Sequence, residues 1–219
     1  MDKIRLRFQK TGRAIYISHL DLMHTMQRGF SRAGYELKYS EGFNPHPIIS
    51  ILLPLSVGCS SQCELMDFKL KQDCALETLP QELTAVLPEG IEIMEAYEPQ
   101  RKAAELKWLA VEGIFEYDER PAAEMSDRLM EFFRRDEIVV PKKTKRGIGN
   151  FDVKAAVKTI SFEPAGNDVK VSAVISAQEP TLNPELLVEA LKLQSPEISP
   201  DFAKFVRLET YDEGMNLYR

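Results

Sequence analysis

Polar and apolar residues alternate over residues 3–8, and this alternation predicts a β-strand with one apolar face. A helical spacing of apolar residues follows and predicts a helix from His19 to about Ala33. Ser18 can cap the start of this helix. Gly34 can end it, because glycine adopts a left-handed conformation at no steric cost. The chain is therefore expected to begin with a strand and an amphipathic helix.

The predicted helix has two faces of different character when its residues are placed 100° apart. We expect the packed face to carry the apolar residues Leu20, Leu22, Met23, Met26, Phe30 and Ala33. The opposite face carries His24, Arg28 and Arg32. The helix is thus expected to pack with one face and to present cations with the other.

The same patterns predict further elements in each half of the chain. In the first half we expect strands over residues 35–39, 48–53, 64–70 and 91–97 and a helix over residues 75–87. In the second half we expect strands over residues 106–117, 138–140, 151–162, 169–177 and 205–210 and helices over residues 122–134 and 184–193. The order strand, helix, strands, helix, strand occurs twice. It predicts an α+β fold of two tandem ferredoxin-like (βαββαβ) domains, residues 1–100 and 101–219.

The composition is that of a globular chain, with 44% hydrophobic and 28% charged residues. The sequence contains no run of about 18 apolar residues to cross a bilayer, and charges occupy the amino terminus where a signal peptide has an apolar core. We therefore expect a cytoplasmic protein with no membrane association. Cys59, Cys63 and Cys74 are expected to be buried thiols, and their spacing predicts neither a metal site nor a cofactor.

Charge is distributed unevenly, although the net charge is -6. Residues 1–50 hold eight Lys and Arg against four Asp and Glu, and residues 141–158 hold six against one. In the second segment, four cations lie beside two glycines: Lys142, Lys143, Lys145, Arg146, Gly147 and Gly149. A phosphate backbone could approach such a segment closely. A solvated hairpin tip is the alternative interpretation.

Two prolines restrain residues 39–47, because proline fixes φ and holds the residue before it extended. A stiff loop of this kind can present Phe43, Asn44 and His46 to a ligand with little ordering cost. Alternatively, Phe43 could fill the core beneath the loop.

Two of the three histidines lie in the predicted first helix, and His19 and His24 are five residues apart. This spacing separates them by about 140° around the helix, which does not suit two ligands of one metal. His19 points toward the apolar side in the first turn. It could be a half-buried structural group, or it could move a proton or contact a phosphate.

Several segments of the first half closely resemble the radical SAM-linked protein family, bacterial domains of unknown function. They are Ile17–Met23, Arg28, Arg32–Gly34, Tyr39–Pro47 and Leu53–Gly58. Lys145–Gly147 and Phe151–Lys154 are similar to the family's basic segment and its Asp-Ile-Arg motif. The sequence departs from the family in having Lys154 where Arg is frequent and Gly29 where Ala is usual.

This resemblance implies a chain that is fused to a radical SAM protein or encoded beside one. It also implies a genomic setting near ribosomal-protein and ribonuclease genes, which points to RNA as the shared substrate. Because the chain lacks cluster-binding cysteines, the radical chemistry would belong to the partner. We therefore expect an RNA-binding accessory module that acts on tRNA or rRNA with a radical SAM enzyme and has no catalysis of its own.

Two other functions stay open. The element order is also similar to that of the endoribonucleases that process CRISPR repeat RNA, so His19 or His46 could move a proton while Arg28, Arg32 or Lys145 stabilises the phosphorane. A protein–protein scaffold without nucleic acid is favoured by the acidic isoelectric point of about 5.3. The candidate contacts for RNA are Arg13, His19, Arg28, Arg32, Phe43, Asn44, His46, Lys142, Lys143, Lys145 and Arg146.

Overall fold

The alternating residues at the start of the chain form a strand in the computed structural model, which describes residues 3–144 and 147–219. These residues form a mixed α+β chain of antiparallel sheets and helices, as the sequence predicts. The chain divides into two compact units, one up to Ala103 together with Arg219 and the other Ala104–Tyr218. None of the helices in the described residues is long and apolar enough to cross a membrane.

The strands of the first unit pair in an antiparallel sheet, and its two helices connect strands along the chain. Its elements are β1 (Ile4–Lys10), α1 (His19–Arg32), β2 (Ile49–Ile51), β3 (Ser60–Phe68), α2 (Leu79–Thr84) and β4 (Ile91–Tyr97). The strands lie in the order β4-β1-β3-β2, and each neighbouring pair is antiparallel. The helix expected over residues 75–87 is shorter in the structure and begins at Leu79. Pro80 lies in its first turn, the part of a helix in which proline is tolerated.

The core of the first unit lies between one face of this sheet and the two helices. The alternating residues of β1 that face it, Ile4, Leu6 and Phe8, are buried as predicted. Phe30 of α1 meets Phe68 of β3 with ring centroids 4.6 Å apart. Burial of these large side chains supplies the main stabilisation of the unit, since each contributes about 1.5–3 kcal/mol.

Helix α1 begins and ends through the local signals that the sequence contains. The Oγ of Ser18 accepts a hydrogen bond from the backbone N–H of Asp21 at 3.2 Å. Gly34 follows the helix with φ of +83°. The expectation for Leu20 is wrong, since its side chain is 69% exposed. Leu20 lies about 200° around the helix from the buried Leu22, and therefore on the solvent side.

Gly29 of α1, where the resemblance noted in the sequence leads to an expectation of alanine, lies against the segment that follows α2. A Cβ atom added at Gly29 would lie 2.8 Å from Cδ2 of Leu87. An alanine methyl would therefore require a small movement of the Leu87 side chain, whose flexible end is the atom it would meet.

The second unit repeats this arrangement and adds a hairpin. Its elements are β5 (Trp108–Glu116), α3 (Ala122–Phe133), β6 (Val139–Thr144), β7 (Gly147–Asp152), β8 (Val157–Ala165), β9 (Asp168–Ser176), α4 (Glu185–Gln194) and β10 (Phe202–Tyr211). The strands β10-β5-β9-β8 form an antiparallel sheet in that order, and β6 pairs with β7 in a separate two-stranded sheet.

The single strand expected over residues 151–162 is two strands in the structure. Strand β7 ends at Asp152, a short 3-10 turn covers Lys154–Ala156, and β8 then begins. The Oδ1 of Asp152 accepts a hydrogen bond from the backbone N–H of Lys154 at 2.9 Å. This side-chain acceptor competes with strand pairing and turns the chain, as Asp commonly does at the ends of regular elements.

Candidate nucleic-acid interface

Residues 39–47, named here the aromatic hairpin, form a loop that its own backbone and side chains close. Tyr39 forms an antiparallel bridge with Pro47. The backbone N–H of Ser40 donates to the carbonyl of His46 at 2.9 Å, and the backbone N–H of His46 donates to Oγ of Ser40 at 3.1 Å. The two prolines therefore act together with reciprocal hydrogen bonds to fix the backbone of the loop.

The aromatic hairpin holds its candidate side chains outward. The ring of Phe43 is fully exposed, so the alternative in which it fills the core is wrong. Asn44 and His46 are exposed as well. The Nδ1 atom of His46 lies 2.9 Å from Oγ of Ser40 and 3.4 Å from the carbonyl oxygen of Asn44. The tip therefore presents an aromatic ring, an amide and an imidazole side by side along the chain.

Two lysines that sequence reasoning passed over lie at the base of the aromatic hairpin. Lys38 donates its backbone N–H to the carbonyl of Lys69 at 2.8 Å and accepts from the N–H of Ile48 at 2.7 Å. The Lys38 side chain is exposed and that of Lys69 is half-buried. The dipeptide Lys38-Tyr39, a cation and an aromatic residue directly before the loop, is the signal that could have indicated them. Ser40 was also passed over, and its spacing of six residues from His46 could have suggested the contact.

Arg28 and Arg32 of α1 make no direct hydrogen bond or ion pair to the aromatic hairpin within the described residues. Arg28 is exposed, and Arg32 donates from Nη1 to the carbonyl of Val86 at 2.7 Å, in the segment after α2. Among residues 3–144 and 147–219, no hydrogen bond or ion pair links Arg28 or Arg32 to His46 or His19. Within the described residues, neither arginine is therefore held against a candidate histidine by a direct bond.

His19 and Arg13 lie on either side of Ile15, which contacts the segment Leu53–Gly58. Arg13 is exposed in the 3-10 turn Gly12–Tyr16, and His19 is half-buried as the first residue of α1. The backbone N–H of Gly58 donates to the carbonyl of Ile15 at 2.9 Å and so joins the segment Leu53–Gly58 to this turn. Tyr16 is largely exposed beside them along the chain. The half-buried position of His19 agrees with its expected direction toward the apolar side.

Residues 139–152, named here the basic hairpin, comprise β6 and β7. Lys142 donates from Nζ to the carbonyl of Thr181 at 2.6 Å, and its ammonium lies 4.0 Å from the centroid of the Phe151 ring. Burial lowers the pKa of Lys142. Lys145 and Arg146 lie outside the described residues, as does the side chain of Lys143. The one candidate cation of this segment whose side chain is described is therefore engaged with the protein.

The family-like residues at the end of the basic hairpin hold backbone in place. Oδ1 of Asp152 accepts from the backbone N–H of Ile138 at 3.1 Å as well as from that of Lys154. Lys154 donates from Nζ to the carbonyl of Phe133 at 2.7 Å, at the carboxyl end of α3. A cation at this end of a helix satisfies a free carbonyl and interacts favourably with the helix dipole. These contacts give both residues a structural role.

Metal-ligating side chains do not cluster in the described part of the chain. No group of three or more His, Cys, Asp or Glu residues there could hold a metal ion. Cys59 and Cys63 are buried, and Cys74 is half-buried. Burial raises the pKa of Cys74, with a further contribution from the nearby Asp73 carboxylate, so its thiol stays protonated at neutral pH.

Solved structures show what the fold is similar to. A crystal structure of a Cbf5-Nop10-Gar1 complex matches with a TM-score of 0.54 at 12% identity, over 96% of this chain and 50% of that chain. This chain therefore spans half the length of that one, and the likeness is one of fold. Acetolactate synthase small subunit from Thermotoga maritima matches at 9% identity over 97% of this chain and 98% of that chain. Its TM-score of 0.27 is too low to support an argument.

Sequence comparison identifies the family. Among curated proteins no match was found. The model of the family DUF2344, described as an uncharacterized protein conserved in bacteria, matches residues 3–184. This match covers most of the chain and includes α1, the aromatic hairpin and the basic hairpin. The chain therefore belongs to the bacterial family DUF2344.

Proposed function

We propose that this chain is an RNA-binding accessory module that acts with a radical SAM enzyme in the modification of tRNA or rRNA. The aromatic hairpin carries the proposal. Its Phe43 ring is fully exposed and so contributes nothing to the core, and Asn44, His46 and Lys38 lie near it along the chain. Proteins recognise RNA sequence by stacking unpaired bases on aromatic rings and by hydrogen-bonding the base edges. The hairpin provides both kinds of group, with a cation at its base.

We further propose that the two units are tandem ferredoxin-like domains. In each unit the first strand lies between the third and the fourth, and the second strand pairs with the third. This is the strand order of a βαββαβ unit, with the basic hairpin inserted between α3 and β8 of the second unit. The similarity of fold to the Cbf5-Nop10-Gar1 structure is compatible with this assignment.

The radical SAM partner is supported by the sequence resemblance of residues 17–58. In this proposal the chain supplies binding and positioning, and the partner supplies the radical chemistry. Both roles would be carried out in the cytoplasm. Purification of the native protein, followed by sequencing of bound RNA and identification of bound protein, tests the two partners together. Recovery of a radical SAM protein with tRNA or rRNA is expected, and recovery of other proteins without RNA would favour the scaffold.

The salt dependence of RNA binding tests the electrostatic part of the proposal. A surface that uses about four to six cations against phosphates gives a log–log slope near four or five. Replacing Lys142, Lys143, Lys145 and Arg146 together by alanine should flatten this slope. Because Lys142 is engaged with Thr181 and Phe151, a triple variant that retains it should flatten the slope nearly as much, by about two to three.

A matched control removes three cations that are already paired. Lys71, Lys170 and Lys204 lie 2.9, 2.8 and 2.6 Å from the carboxylates of Glu36, Glu112 and Glu116. Replacing these three lysines by alanine changes the net charge as much as the triple variant does, and it should leave the slope nearly unchanged. Absence of RNA binding at low salt, or equal slopes for both triple variants, would contradict the role of the basic hairpin.

The endoribonuclease alternative makes a different prediction about His19. We expect no cleavage of RNA by the purified protein, with or without a chelator. His19→Ala should act through stability, at a cost of about 1–3 kcal/mol for a half-buried polar ring, or through RNA binding. Specific cleavage by the wild type that is lost in a fully folded His19→Ala protein would establish the nuclease in place of the accessory module.

A further inference from the structure

We infer that the aromatic hairpin binds one unpaired nucleobase and that Ser40 positions His46 to recognise it. This inference rests on the proposed function and names the form of RNA that the hairpin would accept. Three observations support it: the exposure of the Phe43 ring, the hydrogen bonds between Ser40 and His46, and the exposed amide of Asn44 between the two rings in the chain.

The Phe43 ring determines which form of RNA can bind. A base can stack on this ring only when its own face is free, and in a duplex both faces of an internal base are covered by neighbouring pairs. In A-form RNA the major groove is also too deep and narrow for side chains to reach the base edges. Loops, bulges and single-stranded ends supply accessible bases, so single-stranded RNA is the expected ligand.

The contact between Ser40 and His46 bears on which nitrogen of the His46 ring carries the proton. Oγ of Ser40 accepts from the backbone N–H of His46 at 3.1 Å, so its hydroxyl proton is available to the ring nitrogen Nδ1 at 2.9 Å. A neutral imidazole that accepts at Nδ1 carries its proton on Nε2. The competing arrangement, an Nδ1–H that donates to the carbonyl of Asn44, has a longer distance of 3.4 Å. We therefore assign the Ser40 hydroxyl as the donor to Nδ1, an arrangement that leaves Nε2–H of a neutral ring as a hydrogen-bond donor.

The combination of groups matches the edge of a nucleobase. An amide offers a donor and an acceptor, and the Nε2–H of His46 adds a second donor. Base edges carry carbonyl and ring-nitrogen acceptors beside amino donors, and they are read by paired contacts of this kind. Because the backbone is fixed by the prolines and by the bonds between Ser40 and His46, the groups require little ordering when a base binds.

Binding of single-stranded and duplex RNA of one sequence, at one salt concentration, tests the ligand form. We expect the single strand to bind more tightly, and Phe43→Ala to weaken its binding about 5- to 150-fold, the range for loss of one stacked base. Phe43→Trp should retain the affinity. Phe202→Ala is the control, because it removes another exposed aromatic ring, outside the candidate contacts, and should have little effect.

The outcomes separate this inference from the proposed function. If RNA binds with the expected salt slope but Phe43→Ala leaves affinity unchanged, or if duplex and single strand bind equally, the inference is wrong and RNA binding stands. If no RNA binds at low salt, both are wrong. If Phe43→Ala abolishes binding of a protein partner and leaves RNA binding unchanged, the hairpin is a protein contact and the inference is again wrong.

The role of Ser40 has a spectroscopic test. The nitrogen-15 chemical shifts of His46 distinguish a ring that carries its proton on Nε2 from one that carries it on Nδ1. We expect the Nε2–H form in the wild type, a mixture of both forms in Ser40→Ala with a several-fold loss of RNA affinity, and recovery of both properties in Ser40→Thr. An unchanged tautomer or an unchanged affinity in Ser40→Ala would overturn the positioning role.

Discussion

The aromatic hairpin and the basic hairpin use their side chains in opposite ways. In the aromatic hairpin, the hydrogen bonds that fix the loop come from its backbone and from Ser40, and the Phe43 ring is fully exposed. In the basic hairpin, Lys142 donates to the carbonyl of Thr181 and lies over Phe151. At least one of the cations that mark the basic hairpin in the sequence therefore makes contacts within the protein itself. An exposed aromatic ring on a fixed backbone is the stronger sign of a ligand surface.

The largest expected effect concerns the backbone support of the basic hairpin. Asp152→Ala removes the acceptor of two backbone N–H groups, those of Ile138 and Lys154, and should lower the free energy of unfolding by about 1–3 kcal/mol. Urea denaturation measures this change. Asp152→Asn is the control, since its amide oxygen can still accept, and it should lose less than half as much. Equal losses in both variants would show that charge, rather than the acceptor, is what matters.

Lys142 separates a structural lysine from one available to RNA. Lys142→Ala should lower the free energy of unfolding by about 1 kcal/mol, because it loses a hydrogen bond and a contact with an aromatic ring. Lys158→Ala is the control, since the exposed Lys158 also lies over a ring, that of Trp108 at 4.6 Å. We expect a smaller thermal shift for it. A Lys142→Ala protein of unchanged stability whose salt slope for RNA falls by one would reverse our comparison of the hairpins.

The stiffness of the aromatic hairpin can be reduced without removing any recognition group. Pro45→Ala gives the loop more unbound conformations, and we expect RNA affinity to fall about 2- to 5-fold, equivalent to the 0.4–1 kcal/mol typical of such changes. The melting temperature should also fall by a few degrees at most, because the unfolded chain gains conformational freedom as well. Pro88→Ala, at another exposed loop proline of the same unit, should leave affinity unchanged. An equal loss in the two variants would mean that the stiffness of the hairpin is unimportant.

The smallest effect concerns Tyr35, which lies between α1 and the aromatic hairpin along the chain. Tyr35 donates a hydrogen bond from its hydroxyl to Glu82, and this bond, with a smaller contribution from burial, raises the pKa of Tyr35 to about 12. Because the folded pKa lies above the ordinary value of 10, the stabilisation is complete below pH 10 and is lost as the pH rises toward 12. Absorbance titration at 295 nm measures it. Tyr35→Phe should remove one tyrosine that titrates near pH 12, and loss of one that titrates near pH 10 would contradict the assignment.

Local signals account for the parts of the fold that the sequence predicted well. Helix α1 starts after Ser18 and ends before Gly34, because capping and a left-handed glycine act within a few residues. The order of strands and helices follows from periodicity in the same way. The sequence pattern predicts Leu20 on the packed face of α1, whereas its angular position puts it on the solvent side. The break after Asp152 was missed because one side-chain acceptor outweighed a long β-like pattern.

The candidate site was harder to predict, because its decisive contacts join residues that are separate in the sequence. The exposure of Phe43 depends on the bridge between Tyr39 and Pro47, which periodicity does not reveal. The engagement of Lys142 depends on the carbonyl of Thr181, which lies 39 residues further along the chain. The sequence gives the number of cations in a segment, whereas the structure shows which groups each described cation contacts.

The anchored Lys142 also determines how β6 and β7 align. Val140 lies opposite Phe151 and Lys142 opposite Gly149, so the lysine reaches the Phe151 ring diagonally across the ladder. A shift of one residue would turn the buried Val140 and the half-buried Lys142 to the other face together. Electrostatics alone cannot distinguish one register from the next in a run of like charges. Burial of Val140 and the contacts of Lys142 thus favour one register of β6 with β7, which charge alone would not specify.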